Sequence, residues 1–152
     1  MSLIRVCQEF SERLALLPGI TEAPWPPPPK LVSTTTLIVY PSPAATTTQV
    51  HHGKNRTAIL SHRDIIQIEL HRKGQTDAYG SWIPWAAGMV DMVRQAVWSE
   101  YKRNKFGESI TGIYSTNVDY WGKLVWAGED SYGFRMSVDL QHDDELSADL
   151  TS

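Results

Sequence analysis

Apolar residues at Leu3, Val6, Cys7, Phe10, Leu14 and Leu17 recur at steps of three and four. That spacing draws one stripe along a helix. Arg5, Gln8, Glu9, Glu12 and Arg13 fall mostly on the other side. The pattern predicts a helix over 2–17, with Ser2 as N-cap and Pro18-Gly19 as its stop. Pro24 to Pro29 then form a strap, stiff and extended because proline fixes φ and lacks a backbone donor. A β-branched run with an aromatic end predicts a strand over 33–41, closed by Pro41 and Pro43.

Residues 42–62 are polar, Thr-rich and weakly patterned. They read either as a long functional loop or as a long hairpin whose outer halves are strand. Period-2 alternation predicts the next strand over 63–72, with Ile66, Ile68 and Leu70 on one face and Ile65, Gln67, Glu69 and His71 on the other. Gly74 to Gly80 reads as a turn. Ile83, Ala86, Ala87, Val90, Val93, Ala96, Val97 and Tyr101 predict a second helix over 82–101, with Pro84 in its first turn and Asn104 and Gly107 ending the region. A strand follows over 109–126, then a turn over 128–131. Over 132–140, Tyr132, Phe134, Met136, Val138 and Leu140 alternate inward while Gly133, Arg135, Ser137 and Asp139 point outward. The acidic segment 141–152 reads as a flexible C-terminal tail. The expectation is a single α+β domain over 1–140, with a mostly antiparallel sheet and two helices packed on one face, in the order α-β-β-α-β-β.

A length of 152 residues suits one core. With 14 Lys and Arg against 17 Asp and Glu, the formal charge is −3, which argues against a dedicated nucleic-acid binder. No apolar run reaches the ~20 residues that span a bilayer, and the N-terminus lacks the order of a signal peptide. Cys7 is the single cysteine, so no internal disulfide forms, and synthesis in a reducing cytoplasm is expected. Six Trp and six Tyr are many for this length and divide between core and interface.

Candidate chemistry is sparse. His51, His52 and His62 with Asp64 lack a metal-ligand spacing, since adjacent residues on an extended chain point to opposite sides. His62 and His71 flank the second strand, within reach of titration near neutral pH. Gly53-Lys54-Asn55-Arg56 departs from a phosphate loop: position 48 is Thr, Asn follows the lysine, and no helix follows. It reads as a basic, solvated tip. Asp143, Asp144 and Glu145 lack the glycine turn of a calcium loop. No G-x-S-x-G is present. Cys7 sits on the apolar stripe as an inert thiol. Trp82, Trp85, Trp98, Trp121 and Trp126 read as core or subunit contact rather than a stacking platform for bases or sugars. The expectation is no catalytic, cofactor or metal site.

Four features occur in a fixed order: the Leu17-Pro18-Gly19 brake; Pro24 to Pro29 leading to a strand that ends at Pro41; a long polar excursion before an Ile-rich strand; and Tyr132-Gly133-Phe134-Arg135-Met136-Ser137-Val138 after the second helix. In these the chain resembles the tail terminator (tail completion) proteins of long-tailed bacteriophages over 3–140. Pro41-Ser42-Pro43 replaces the family's usual Pro-Gly. The resemblance implies an α+β sandwich and a non-enzymatic virion protein, made in the bacterial cytoplasm. It implies a homo-oligomer, a hexameric ring on the head-proximal end of the tail. The ring's partners are the tail tube protein and the head-completion (connector) protein, and DNA passes through without specific binding. His51, His52, Lys54, Arg56, Trp82, Trp85, Asp143 and Asp144 are the candidate partner-interface residues. The alternatives are another neck or minor tail protein, a small nucleic-acid-binding module using Lys54, Arg56, Arg63, Lys73 and tryptophans, or a small hydrolase or metalloprotein around the histidines.

Overall fold

The computed structural model describes residues 2–43, 47–52, 57–73 and 82–147. The element order is α1 (Ser2–Leu14), β1 (Thr35–Pro41), β2 (Thr47–His52), β3 (Thr57–Arg72), α2 (Trp82–Glu108), β4 (Gly112–Trp126) and β5 (Glu129–Ser147). Among the described residues the architecture is α+β, with two helices and an antiparallel five-stranded sheet. The sheet runs β1-β3-β5-β4, and β2 joins β3 beyond the end of β1.

The period-2 strands and period-3.6 helices meet in one core. Leu37 and Val39 from β1, Ile66, Ile68 and Leu70 from β3, and Phe134, Met136, Val138 and Leu140 from β5 form the sheet's inner face. Val6, Cys7, Phe10 and Leu14 of α1, with Met89, Val90, Val93 and Val97 of α2, complete it from above. The cross-strand pairs Leu70–Phe134, Ile68–Met136 and Ile66–Val138 place the inward sets side by side. Each such fully buried side chain contributes roughly 1.5–3 kcal/mol.

Of the two readings of 42–62, the hairpin holds: β2 pairs with the first half of β3 from Thr47–Arg63 to His52–Ala58. It adds a strand to the expected order. Two expectations need correction. Residues 141–147 are not a tail: they are the last part of β5, paired with β3 from Arg63–Gln141 to Thr57–Ser147. Local acidity suggested solvation, but a backbone ladder accepts any side chain that finds room on either face. The first helix stops at Leu14, and turns carry the chain to Gly19. The expected Gly74–Gly80 turn lies outside the described residues.

The end of α2 is unusual. Lys105, Phe106, Gly107 and Glu108 all have positive φ, between 53° and 68°. A non-glycine residue pays about 1 kcal/mol or more for that conformation. The turn drives Phe106 into the core, where its ring stacks on Phe10 at 3.7 Å and 3°. Arg5 donates to the Gly107 carbonyl, and Asn104 Oδ1 accepts from the Gly107 amide.

The proline strap changes sides of the sheet. Thr21 and Glu22 hydrogen-bond along the outer edge of β1, and Ala23 and Trp25 pack against the helix-side core. Further on, the Pro28 carbonyl accepts from Trp126 Nε1 at 2.8 Å, beside the opposite face.

Gly133 has a backbone reason. A Cβ there would lie 1.7 Å from the Leu70 carbonyl oxygen. Gly133→Ala must therefore push β5 off β3, at a cost of about 3 kcal/mol. The expected fall in Tm is about 6–12 °C, measured by calorimetry. A second variant, Phe134→Asp, buries a charge at a fully enclosed position. It should yield no cooperative melting transition.

Candidate functional site

Strand alternation splits the polar residues of β3 and β5 between the two faces. On the face away from the helices, Glu69 and His71 are expected at the surface, yet both are buried. His71 Nε2 lies 2.8 Å from Glu69 Oε1, and His71 Nδ1 lies 2.6 Å from Ser131 Oγ. An ionised carboxylate only accepts. His71 therefore donates from Nε2, and in its neutral form it accepts the Ser131 proton at Nδ1. Tyr40 also donates to Glu69, and Arg135 Nε reaches the same carboxylate at 3.1 Å.

Burial opposes ionisation of Glu69. Hydrogen bonds from His71 and Tyr40 and the nearby His71 and Arg135 charges win, and hold its carboxyl below the usual value. Burial, then the hydrogen bond and charge of Glu69, push the Tyr40 phenol up to about 12.

The sequence hydroxyl–imidazole–carboxylate has the order of a nucleophile, a base and its orienter. Its position is that of a brace. His71 is 0% exposed and Ser131 2%. The Trp126 indole meets the His71 ring edge-on at 6.1 Å, lies 6.0 Å from the Tyr40 ring, and is pinned to Pro28. Period-2 reading separated the two faces but carried no sign that a distant tryptophan and a proline strap cover the second.

On the helix-side face, beyond the apolar core, β3 and β5 continue as a polar arm. His62 and His142 are direct cross-strand neighbours, with rings 4.9 Å apart. His142 Nε2 donates to Asp64 Oδ2 at 2.7 Å, and His62 Nε2 donates to Asp144 Oδ2 at 2.9 Å. In neutral His62, Nδ1 accepts from Thr48 Oγ1 at 3.0 Å. Burial, with the Asp64 charge adding, pushes the Cys7 thiol up to about 12, which agrees with an inert core cysteine. Among the described residues, no group of three or more His, Cys, Asp or Glu side chains is arranged to hold a metal ion.

The surface has two notable regions. Residue Arg63 makes a bidentate pair with Asp139 at 3.0–3.1 Å and stacks 3.9 Å over Tyr114. Beside it Thr47, Gln49, Ser61 and Gln141 line a small polar groove. The second region is β4, the terminal strand of the sheet. It exposes Tyr114 (51%), Tyr120 (43%), Trp121 (42%) and Val125 (61%).

Among the described side chains, the expected interface residues are spread over β2, α2 and β5. His51 is exposed on β2, and Asp143 is exposed on β5. Asp144 is engaged by His62 rather than left to a partner. Trp82 is buried against Tyr132, ring centroids 5.5 Å apart, which is the core half of the core-or-subunit reading. Trp85 is half-buried, and the Arg72 guanidinium sits 4.8 Å over its ring. Lys54 and Arg56 lie outside the described residues, as does the side chain of His52. The exposed side chains of β4 were missed as a surface, because the bulky members of that strand were assigned no face.

No family model and no curated protein matches the chain. No described helix is long and apolar enough to cross a membrane.

Breaking the buried network exposes its role. Glu69→Gln should cost about 3 kcal/mol in urea unfolding, since it strands His71 and Arg135. The pH signs are opposite for its two acids. The folded Glu69 carboxyl is depressed, so its contribution is present above pH 4.5 and fades as pH falls below it. The Tyr40 phenol is raised, so its contribution is present below pH 10 and is lost by about pH 12. Compared with the parent chain, Tyr40→Phe should show a smaller loss of stability across that alkaline window.

Proposed function

We propose that the protein is a structural virion component. It caps the head-proximal end of a phage tail tube, ends tube polymerisation and docks the tail to the head-completion proteins. The observation that carries this reading is the long terminal strand β4. Its edge is unpaired by any described strand, and its side chains include two exposed tyrosines and an exposed tryptophan. Two register shifts twist the backbone of that edge away from strand pairing, so its exposed rings, rather than its backbone, offer the contact. Aromatic side chains with one apolar and one polar end are what protein interfaces favour. The α+β arrangement also agrees with the fold that the tail-terminator resemblance implies. In this reading the molecule works by shape and contact, as a homo-oligomeric ring between tube and connector. The buried Glu69–His71–Ser131 brace makes the sheet rigid enough to serve as a building block.

Light scattering on the purified chain tests the reading. A hexamer of the 17.1 kDa chain has a mass of about 103 kDa. A ring of that order, visible by electron microscopy, is the expected result. A monomer at every concentration would remove the proposal. In a phage carrying this gene, deletion of residues 44–58 should leave a folded protein that no longer joins tails to heads. Normal-length, infectious tails from that deletion would show that the hairpin has no part in joining.

A further inference from the structure

Among the described side chains, the apolar core includes no residue of β2, none of β3 before Ile66 and none of β5 after Leu140. Beyond the helices, these three segments form an arm of order β2-β3-β5. Both of its long edges are open among the described residues. On one side β2 pairs only with β3. On the other, β4 ends at the Gly112–Gln141 pair, so β5 from His142 onward pairs only with β3.

The two edges are chemically complementary. On the face away from the helices, the β2 edge presents Thr47, Gln49 and His51, all exposed and all able to donate a hydrogen bond. On that face the β5 edge presents Asp143, an exposed acceptor. Among the described residues it accepts one hydrogen bond, a long one from Gln141 at 3.3 Å. Gln49 and Asp143 both pair with Ser61, so they stand at one level across the arm. The helix-side face of the β2 edge carries Val50, 61% exposed, an apolar side chain without cover. Donors and an apolar residue on one rim and a carboxylate on the other describe two halves of one contact.

We infer that the β5 edge of one copy pairs with the β2 edge of the next, so that the arms of neighbouring copies join into one continuous sheet. The inference rests on the self-association proposed above and specifies its contact. Its strand direction follows from the topology. Both β2 and β5 run antiparallel to β3, so they are parallel to each other. Arms standing side by side in a ring keep that direction, and the junction β5–β2′ is parallel. The contact is heterologous, and it closes without leaving an edge once the ring is complete.

Cross-linking between cysteine variants decides it. Cys7 is buried and is the only native cysteine, so it stays silent. Thr47→Cys, Gln49→Cys and His51→Cys sample even-numbered staggers that keep one face. Each is mixed with Asp143→Cys and oxidised gently, and a thermal melt of each variant checks its fold. Neighbouring strands bring cysteine Cβ atoms within disulfide range. The expected result is a disulfide dimer between Asp143→Cys and at least one β2 variant, absent from either variant alone. Asp143→Lys should shift the association midpoint to about tenfold higher concentration. Only homotypic dimers, or none in a chain that light scattering shows to be assembled, would overturn the edge pairing and leave the assembly reading standing. A chain that stays monomeric would overturn the assembly reading itself.

Discussion

The pairing of β3 with β5 is the constraint on which the rest depends. Every residue of β3, from Thr57 to Arg72, has a partner on β5. Gly133 lets the two backbones meet at Leu70, where no side chain would fit. Because side chains alternate with period two, this one register assigns everything else. It lines up Phe134, Met136 and Val138 with Leu70, Ile68 and Ile66 under the helices. It puts Arg135 opposite Glu69 on the far face, and His142 opposite His62 in the arm. A slip by one residue would bury Arg135 in the core and turn Phe134 outward.

The far face shows how a thin α+β sandwich protects a sheet with helices on one side only. The chain crosses the β1 edge within a few residues of the proline strap, and Pro28 offers its carbonyl to Trp126. Beneath that indole, one carboxylate serves three donors. Glu69 accepts from His71, Tyr40 and Arg135, and His71 passes the connection on to Ser131. A buried charge so fully hydrogen-bonded is tolerable, whereas the same charge with one donor removed is not. The network ties β1, β3 and β5 together. The Lys73–Glu129 ion pair and the Lys73 hydrogen bond to Leu31 add the strap to the same end.

Much of the fold was legible because periodicity is a strong signal over long elements. The stripe Val6, Cys7, Phe10, Leu14 and the alternation Phe134, Met136, Val138, Leu140 are both buried as read. What was not legible depends on partners distant in sequence. Glu69 and His71 look like surface residues on a half-exposed strand until Trp126 arrives from more than fifty positions away. Asp144 looks solvated until His62 offers a donor, and Asp143, exposed as its charge suggests, nonetheless belongs to the ladder with β3. The Thr47-Thr48 run of β2 has β-branched residues that favour a strand, which kept the hairpin among the readings of 42–62, while Pro43 before it and the histidines after it left the loop reading open as well. Phe106 could not be placed, since its left-handed conformation depends on partners far away in sequence, the stacked ring of Phe10 and the Arg5 hydrogen bond to the Gly107 carbonyl.

The candidate surface is less legible than the core for a physical reason. A buried residue must satisfy its neighbours within the chain, so its type carries information about those neighbours. An edge strand has no such neighbour on one side within the described residues, so its residue types carry less information. The β4 strand shifts register twice, between Ile113 and Ser115 and between Val118 and Tyr120. Such bulges twist an edge and make unplanned pairing harder. Its aromatic residues nonetheless remain exposed on both faces. The β2 and β5 edges of the arm have no such bulge in their pairing with β3. In one molecule, then, the edge beside the core is irregular and the edges of the arm are regular. Regular edges can accept a further strand without distortion, which is why the proposed junction between copies lies in the arm rather than at β4. The exposed rings of β4 then suit side-chain contacts with a different surface.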